Sequence, residues 1–117
     1  MLMYSIVLFA LAALIGLYMA ARVFKGALPP VSAAVFHGLF AASGLVLLLY
    51  AAFFTGAAPS QLVTWAAIVL VIAALGGFVT ASFHMRGKVP PKALAAIHAL
   101  AAVAGVGMLA VAVFNLV

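Results

Sequence analysis

The 117-residue chain is 72% hydrophobic and carries five Lys and Arg, three His, and no Asp, Glu or Cys. Because about a quarter of the residues in an ordinary soluble domain are charged, this composition predicts an integral membrane protein surrounded by the lipid bilayer. The missing residue types exclude carboxylate acid–base pairs, carboxylate or thiolate metal sites and disulfides. They also argue against hydrolytic chemistry.

Four apolar segments follow one another along the chain, and each is long enough for the roughly 20 residues that cross a bilayer. Short breaks with turn residues separate them, reading KGALPP, TGAAPS and RGKVPP. Pro30 and Pro91 suit a first helical turn, and Ser60 suits a helix cap. We predict an all-α integral membrane protein, with one transmembrane domain over residues 1–117 folded as an up-down-up-down four-helix bundle. The predicted spans run approximately from Leu2 to Phe24, Val31 to Phe54, Gln61 to Phe83 and Lys92 to Leu116.

The positive charges predict the orientation of this bundle. All of them lie in or beside the first and third breaks, at Arg22, Lys25, Arg86, Lys88 and Lys92. By the positive-inside rule both of these loops face the cytoplasm, and the two termini and the middle loop lie outside it. We expect the bacterial inner membrane as the location. No aromatic residues interleave with the charges in the way that nucleic-acid binding would favour, so no nucleic-acid partner is expected.

The two halves of the chain match when the sequence is shifted by 61 positions. Among the matched pairs are Gly16 with Gly77, Pro29 with Pro90, Pro30 with Pro91, His37 with His98, and Gly44 with Gly105. This pattern predicts a duplicated two-helix hairpin, with repeat 1 at about residues 1–56 and repeat 2 at about 60–117. Because an even number of spans separates the copies, the repeats are predicted to be parallel and related by a pseudo-two-fold axis along the membrane normal.

Two of the three histidines fall inside predicted spans. His37 and His98 each follow a Pro-Pro pair by seven residues, which places them about 10 Å into the membrane at 1.5 Å per residue. Small residues share their helix face, at Ala34, Ala41, Gly44, Ala95, Ala102 and Gly105. The first and third spans carry a matching stripe of small residues, at Ala13, Gly16, Ala20, Ala74, Gly77 and Ala81. Such stripes allow either close packing of helices or a slot for a flat cofactor.

An intramembrane imidazole usually faces a bundle interior or a cavity and marks a function. We therefore predict that His37 and His98 are the axial ligands of one haem b, which lies between the second and fourth helices among the small residues. Its propionates would meet the cations of the loops, at Arg22, Lys25, Arg86, Lys88 or Lys92. This arrangement resembles membrane four-helix haem b proteins at the level of architecture alone.

The function predicted on this basis is intramembrane electron transfer, with a quinone or a redox protein as partner. On this prediction the protein is an electron carrier or a subunit of a complex, more than a stand-alone catalyst. Four alternatives stay open: purely structural histidines, a chlorophyll-type pigment in place of haem, a transporter, and an accessory or anchor subunit of a larger respiratory or photosynthetic membrane complex without its own chemistry. The third histidine, His84, has Val23 as its repeat partner and sits at a helix end beside Arg86, where it is predicted to be an interfacial loop residue.

Overall fold

The computed structural model describes residues 1–114 and contains four α-helices in this part of the chain. Each helix is long and apolar enough to cross a membrane, so the predicted all-α structure with four candidate spans is confirmed. The helices are α1 (Leu2–Phe24), α2 (Val31–Phe53), α3 (Gln61–Met85) and α4 (Lys92–Phe114). All four begin at the predicted residue, whereas α2 ends one residue earlier than predicted and α3 two residues later. The predicted end of the fourth span, at Leu116, lies outside the described residues.

The first and third loops are built in the same way. Gly26 has φ +77° and Gly87 has φ +70°, in the left-handed region where a side chain is unfavourable. Their N–H groups donate to carbonyls of the preceding helical turn, at Val23 and His84 respectively. These glycines therefore end α1 and α3 and turn the chain towards the Pro-Pro pairs.

The helix starts follow from local chemistry. Pro30 precedes α2 with φ −61° and ψ 145°, and its carbonyl accepts the N–H of Ala34. Ser60 precedes α3, and its Oγ accepts the N–H of Val63 at 3.2 Å. The predicted Ser60 cap is confirmed, and the first turn of α3 gains a partner for one of its exposed donors.

The helices pack as two hairpins. The helix α1 lies against α2, and α3 lies against α4. The hairpins meet through α1 with α4 and through α2 with α3, so α2 and α4 lie across a diagonal without close backbone contact in the described part of the chain. The bundle measures 44 × 23 × 19 Å, which spans the hydrocarbon thickness of about 30 Å. The first and third loops lie at one end, which carries all five Lys and Arg and is called the basic end below.

The hydrophobic core lies in the half of the bundle away from the basic end. Its buried members are Phe9, Leu48, Ala52, Val63, Ala66, Ala67, Leu70 and Leu109. Ser5 is also fully buried there, and its hydroxyl donates to the carbonyl of Gly44 at 2.8 Å. The two histidines of the spans lie between this core and the basic end, in the half where the interior is lined by small residues.

Candidate functional site

The imidazole of His37 on α2 is anchored to the backbone of α1. Its Nδ1 lies 2.8 Å from the carbonyl oxygen of Ala12, a residue that is 3% exposed. Because a carbonyl can only accept, Nδ1 carries the proton and donates it. The neutral ring then presents an unprotonated Nε2, whose lone pair can accept a hydrogen bond or bind a metal ion.

His98 on α4 is held in the same way by α3. Its Nδ1 lies 2.8 Å from the carbonyl oxygen of Ala73, which is also 3% exposed. In each hairpin the two partners are 25 residues apart. Both imidazoles are therefore fixed by the first helix of their own hairpin.

Two glycines make room for the rings. A Cβ atom at Gly16 would lie 2.9 Å from Cε1 of His37, and a Cβ at Gly77 would lie 2.9 Å from Cε1 of His98. Each glycine is four residues after the carbonyl that its histidine uses, and therefore one helical turn along the same face. The missing side chain allows the ring to rest on the helix and reach the carbonyl.

The two rings meet in the interior of the bundle. Their centres are 6.1 Å apart and their planes are inclined at 84°. Neither Nε2 has a hydrogen-bond partner among residues 1–114, and no fully buried side-chain nitrogen or oxygen in that range lacks one. Both Nε2 atoms are therefore accessible, and each has an unused lone pair.

The small residues predicted around the rings lie in two kinds of environment. Ala95 and Gly105 on α4 and Gly44 on α2 are buried, whereas Ala34, Ala41 and Ala102 are half-buried. A Cβ at Gly44 would lie 3.1 Å from the ring of Phe9, and one at Gly105 would lie 2.6 Å from Cγ of Leu70. These two glycines thus allow close packing within each hairpin, and their contact with a cofactor stays a prediction.

The cations at the basic end also differ in what they contact. The Arg22 guanidinium donates from Nη2 and Nε to the carbonyl of Leu28, at 3.0 and 3.3 Å. The Arg86 guanidinium donates to the carbonyl of Ser82 at 3.1 Å and lies 4.8 Å above the ring of Phe83. Both arginines therefore bond to the backbone of the helix end or loop in which they lie. The remaining cations, Lys25, Lys88 and Lys92, are exposed.

The donor set limits what the histidine pair can bind. Among the described residues, no group of three or more His, Cys, Asp or Glu side chains comes together to hold a metal ion. Two imidazoles alone leave at least half of the coordination positions of a bare transition metal without a protein ligand. A metal already held by the four nitrogens of a macrocycle would need two further ligands at most.

Two surface grooves are lined by residues other than His37 and His98. One of about 480 Å³ runs between α1 and α2 and is lined by Leu14, Ile15, Tyr18, Pro30, Ser32, Ala33 and Phe36. The other, of about 250 Å³, lies between α2 and α3 in the other half of the bundle. Both are apolar and open at the protein surface, as expected for clefts that lipid chains fill.

The carbonyls of Ala12 and Ala73 were not predicted as partners of the histidines. The small stripe of the first span was predicted to include Ala13, whereas Ala12 is buried and Ala13 is exposed. The signal was present in Gly16 and Gly77, because a glycine on the facing helix indicates where a bulky ring rests. The carbonyl one turn earlier then follows from helix geometry.

Comparison of the chain with protein-family models, with curated proteins and with solved structures finds no match.

Proposed function

We propose that the chain is a membrane b-type cytochrome-like protein that holds one haem b between α2 and α4 and carries electrons within the bilayer. The observation that supports this most is the paired setting of His37 and His98. Each ring donates Nδ1–H to a backbone carbonyl and keeps Nε2 without a partner among the described residues. A hydrogen bond from Nδ1–H to a carbonyl is typical of histidines that bind a metal through Nε2, because it fixes the tautomer and the ring orientation.

The separation of the rings fits axial ligation of one metal. Two imidazoles that bind one metal from opposite sides have ligating nitrogens about 4 Å apart, because each metal–nitrogen bond is about 2 Å long. The distance of about 1 Å from each nitrogen to its own ring centre then puts the ring centres about 6 Å apart. The observed 6.1 Å agrees with that value. The α2–α4 diagonal also leaves these two helices apart, which is the arrangement that a flat group between them requires.

The residues of the chain have distinct roles in this proposal. His37 and His98 would hold the iron, the carbonyls of Ala12 and Ala73 orient the rings, and Gly16 with Gly77 provides the space in which they lie. When bound, the haem supplies one-electron redox chemistry. Iron with two protein imidazoles has no open position for a substrate, and this favours electron transfer over catalysis.

The loops at the basic end provide partners for the haem propionates. Arg22, Lys25, Arg86, Lys88 and Lys92 were predicted for this role, and the two arginines already bond to carbonyls of their own segments. The exposed Lys25, Lys88 and Lys92 are therefore the cations that would bind a carboxylate with the least rearrangement. The redox partner is proposed to be a quinone or a redox protein that reaches the haem from the bilayer or from the basic end.

The proposal also includes the symmetry and the membrane orientation of the bundle. We infer two parallel repeats related by a pseudo-two-fold axis along the membrane normal. The matched bonds of His37 to Ala12 and of His98 to Ala73, 61 positions apart in sequence, support this symmetry. The orientation, with the basic end in the cytoplasm, rests on the positive-inside rule, and the bacterial inner membrane is the expected location.

Single histidine variants with imidazole rescue test the proposal. His37→Ala and His98→Ala are each expected to lose the six-coordinate low-spin spectrum, and added imidazole is expected to restore it by filling the vacant axial position. Leu39→Ala and Leu100→Ala are matched controls, since both side chains are exposed and lie two residues after each histidine. They should keep the wild-type spectrum.

Haem that stays six-coordinate in the double variant His37→Ala/His98→Ala would refute these ligands. A wild-type protein that takes up no tetrapyrrole from an ample supply would favour the role of an accessory or anchor subunit in a larger membrane complex. A wild type that binds a chlorophyll-type pigment and excludes haem would retain the ligands and change the cofactor.

A further inference from the structure

The third histidine joins the two hairpins. His84 was predicted to lie in a loop but belongs to the last turn of α3. Its Nε2 atom lies 2.6 Å from the carbonyl oxygen of Pro29 in the first loop, 55 residues away. The other side-chain hydrogen bonds of the described residues lie within one hairpin. Within residues 1–114, His84 therefore makes the one side-chain hydrogen bond that crosses between the hairpins.

The Pro29 carbonyl has no backbone N–H partner in the described part of the chain, so the His84 donor satisfies it. Pro29 is buried, and it lies outside the helices, where no following turn supplies an N–H. The neighbouring Pro30 carbonyl is satisfied by Ala34, whereas no backbone donor reaches the Pro29 carbonyl in the described part of the chain. A buried carbonyl near the membrane without a partner is costly, and the His84 N–H removes that cost.

The second hairpin does not repeat this bond. Val23 occupies the position of His84 in the first half and is 4% exposed. The proline that corresponds to Pro29 is Pro90, which is also buried. Valine has no donor, so Val23 cannot make the equivalent hydrogen bond.

We propose that His84 is a positioning residue that sets the spacing of His37 and His98 by fixing one hairpin against the other at the basic end. The Pro29 carbonyl is two residues before α2, which carries His37. His84 belongs to α3, which holds His98 through the Ala73 carbonyl. The bond therefore connects the supports of the two rings. The inference rests on the proposed haem site, but the distance between α2 and α4 can be measured in the haem-free protein.

The experiment measures the distance between α2 and α4 in the full-length, haem-free protein in lipid nanodiscs. Spin labels are attached through Leu39→Cys and Leu100→Cys, at exposed positions two residues after each ring. The chain has no other cysteine. In this labelled background, His84→Ala is expected to broaden the distance distribution and lengthen its mean. His84→Gln, which keeps an N–H donor, is expected to restore much of the wild-type distribution.

Val23→Ala is the matched control, because it removes buried apolar atoms at the equivalent position without removing a hydrogen bond. It should leave the distance distribution close to that of the wild type. An unchanged distribution in His84→Ala, or an equal change in Val23→Ala, would overturn the proposal. So would a Gln variant that behaves like Ala.

Haem-loaded protein gives the second readout. His84→Ala should keep one haem and change the ferric electron paramagnetic resonance signal, which responds to the angle between axial imidazoles. If the wild type binds no haem, the proposed function fails while the label distances still decide the role of His84. If haem binds and His84→Ala changes neither signal nor distance, the positioning role alone fails.

Discussion

The imidazole planes of His37 and His98 are nearly perpendicular, at 84°, with ring centres 6.1 Å apart. Each ring is tied to a helix backbone by a hydrogen bond of 2.8 Å. Its orientation is therefore fixed by the way the helices of each hairpin pack. This geometry has a spectroscopic consequence if both rings bind one iron.

Perpendicular axial imidazoles interact with different d orbitals of ferric iron and leave those orbitals close in energy. We expect a low-spin electron paramagnetic resonance signal with strongly anisotropic g values in the haem-loaded wild type. Parallel rings would split the orbitals and give a well-resolved rhombic spectrum. A rhombic low-spin signal would show that the rings rotate on binding and that the 84° angle is not kept.

Alanine at Gly16 or Gly77 should displace the ring that lies on it. The new Cβ would be 2.9 Å from the imidazole Cε1, which forces the ring away from the carbonyl of Ala12 or Ala73. Overpacking of this kind costs about 1–3 kcal/mol, and haem affinity should fall together with thermal stability. Haem titration and thermal unfolding in detergent measure the two effects.

Gly38→Ala and Gly107→Ala are the controls for this prediction. Both glycines are helical, and nothing lies within 4 Å of a Cβ built at either position. They should bind haem as the wild type does and be at least as stable, because alanine favours the helix. Equal losses in all four variants would indicate a general intolerance of alanine and not a contact with the imidazoles.

Gly105→Ala should loosen the second hairpin with less effect on the site. A Cβ there would lie 2.6 Å from Cγ of Leu70, which is part of the buried core. Gly105 is also seven residues, or about 10 Å, beyond His98. We expect a lower melting temperature with the six-coordinate haem spectrum retained. Loss of haem at unchanged stability would instead place this glycine against the cofactor.

The orientation can be tested with single cysteines, since the chain contains none. Ala57→Cys in the middle loop and Val89→Cys in the third loop are both at exposed positions. By the positive-inside rule, a membrane-impermeant thiol reagent applied outside intact cells should label Ala57→Cys at once. It should label Val89→Cys after permeabilisation only. The reverse pattern would invert the proposed orientation.

The sequence predicted the helices well because their signals are local. Apolar length, glycine turns and the Ser60 cap determine where each span begins and ends. The rotation of each helix about its axis was harder to predict, because every face is apolar and the usual contrast between a polar and an apolar side is missing. That is why the inward alanine was predicted at Ala13 and is found at Ala12.

The side-chain contacts to backbone carbonyls could not be predicted from the sequence. The partner of His84 is a backbone carbonyl 55 residues away, and backbone carbonyls carry no sequence signal. Arg22 was predicted to face a propionate, and its bond to the Leu28 carbonyl depends on the path of the loop. The positions of His37 and His98 were predictable because proline fixes where their helices start.

Titration of the purified, haem-free protein with haem is the most direct test of the central claim. We expect saturation at one haem per chain, with a low-spin six-coordinate spectrum in both oxidation states and no carbon monoxide adduct of the reduced form. The double variant His37→Ala/His98→Ala should show no such saturation. Saturation at another stoichiometry, a five-coordinate spectrum, or equal binding by the double variant would refute ligation of one haem by His37 and His98.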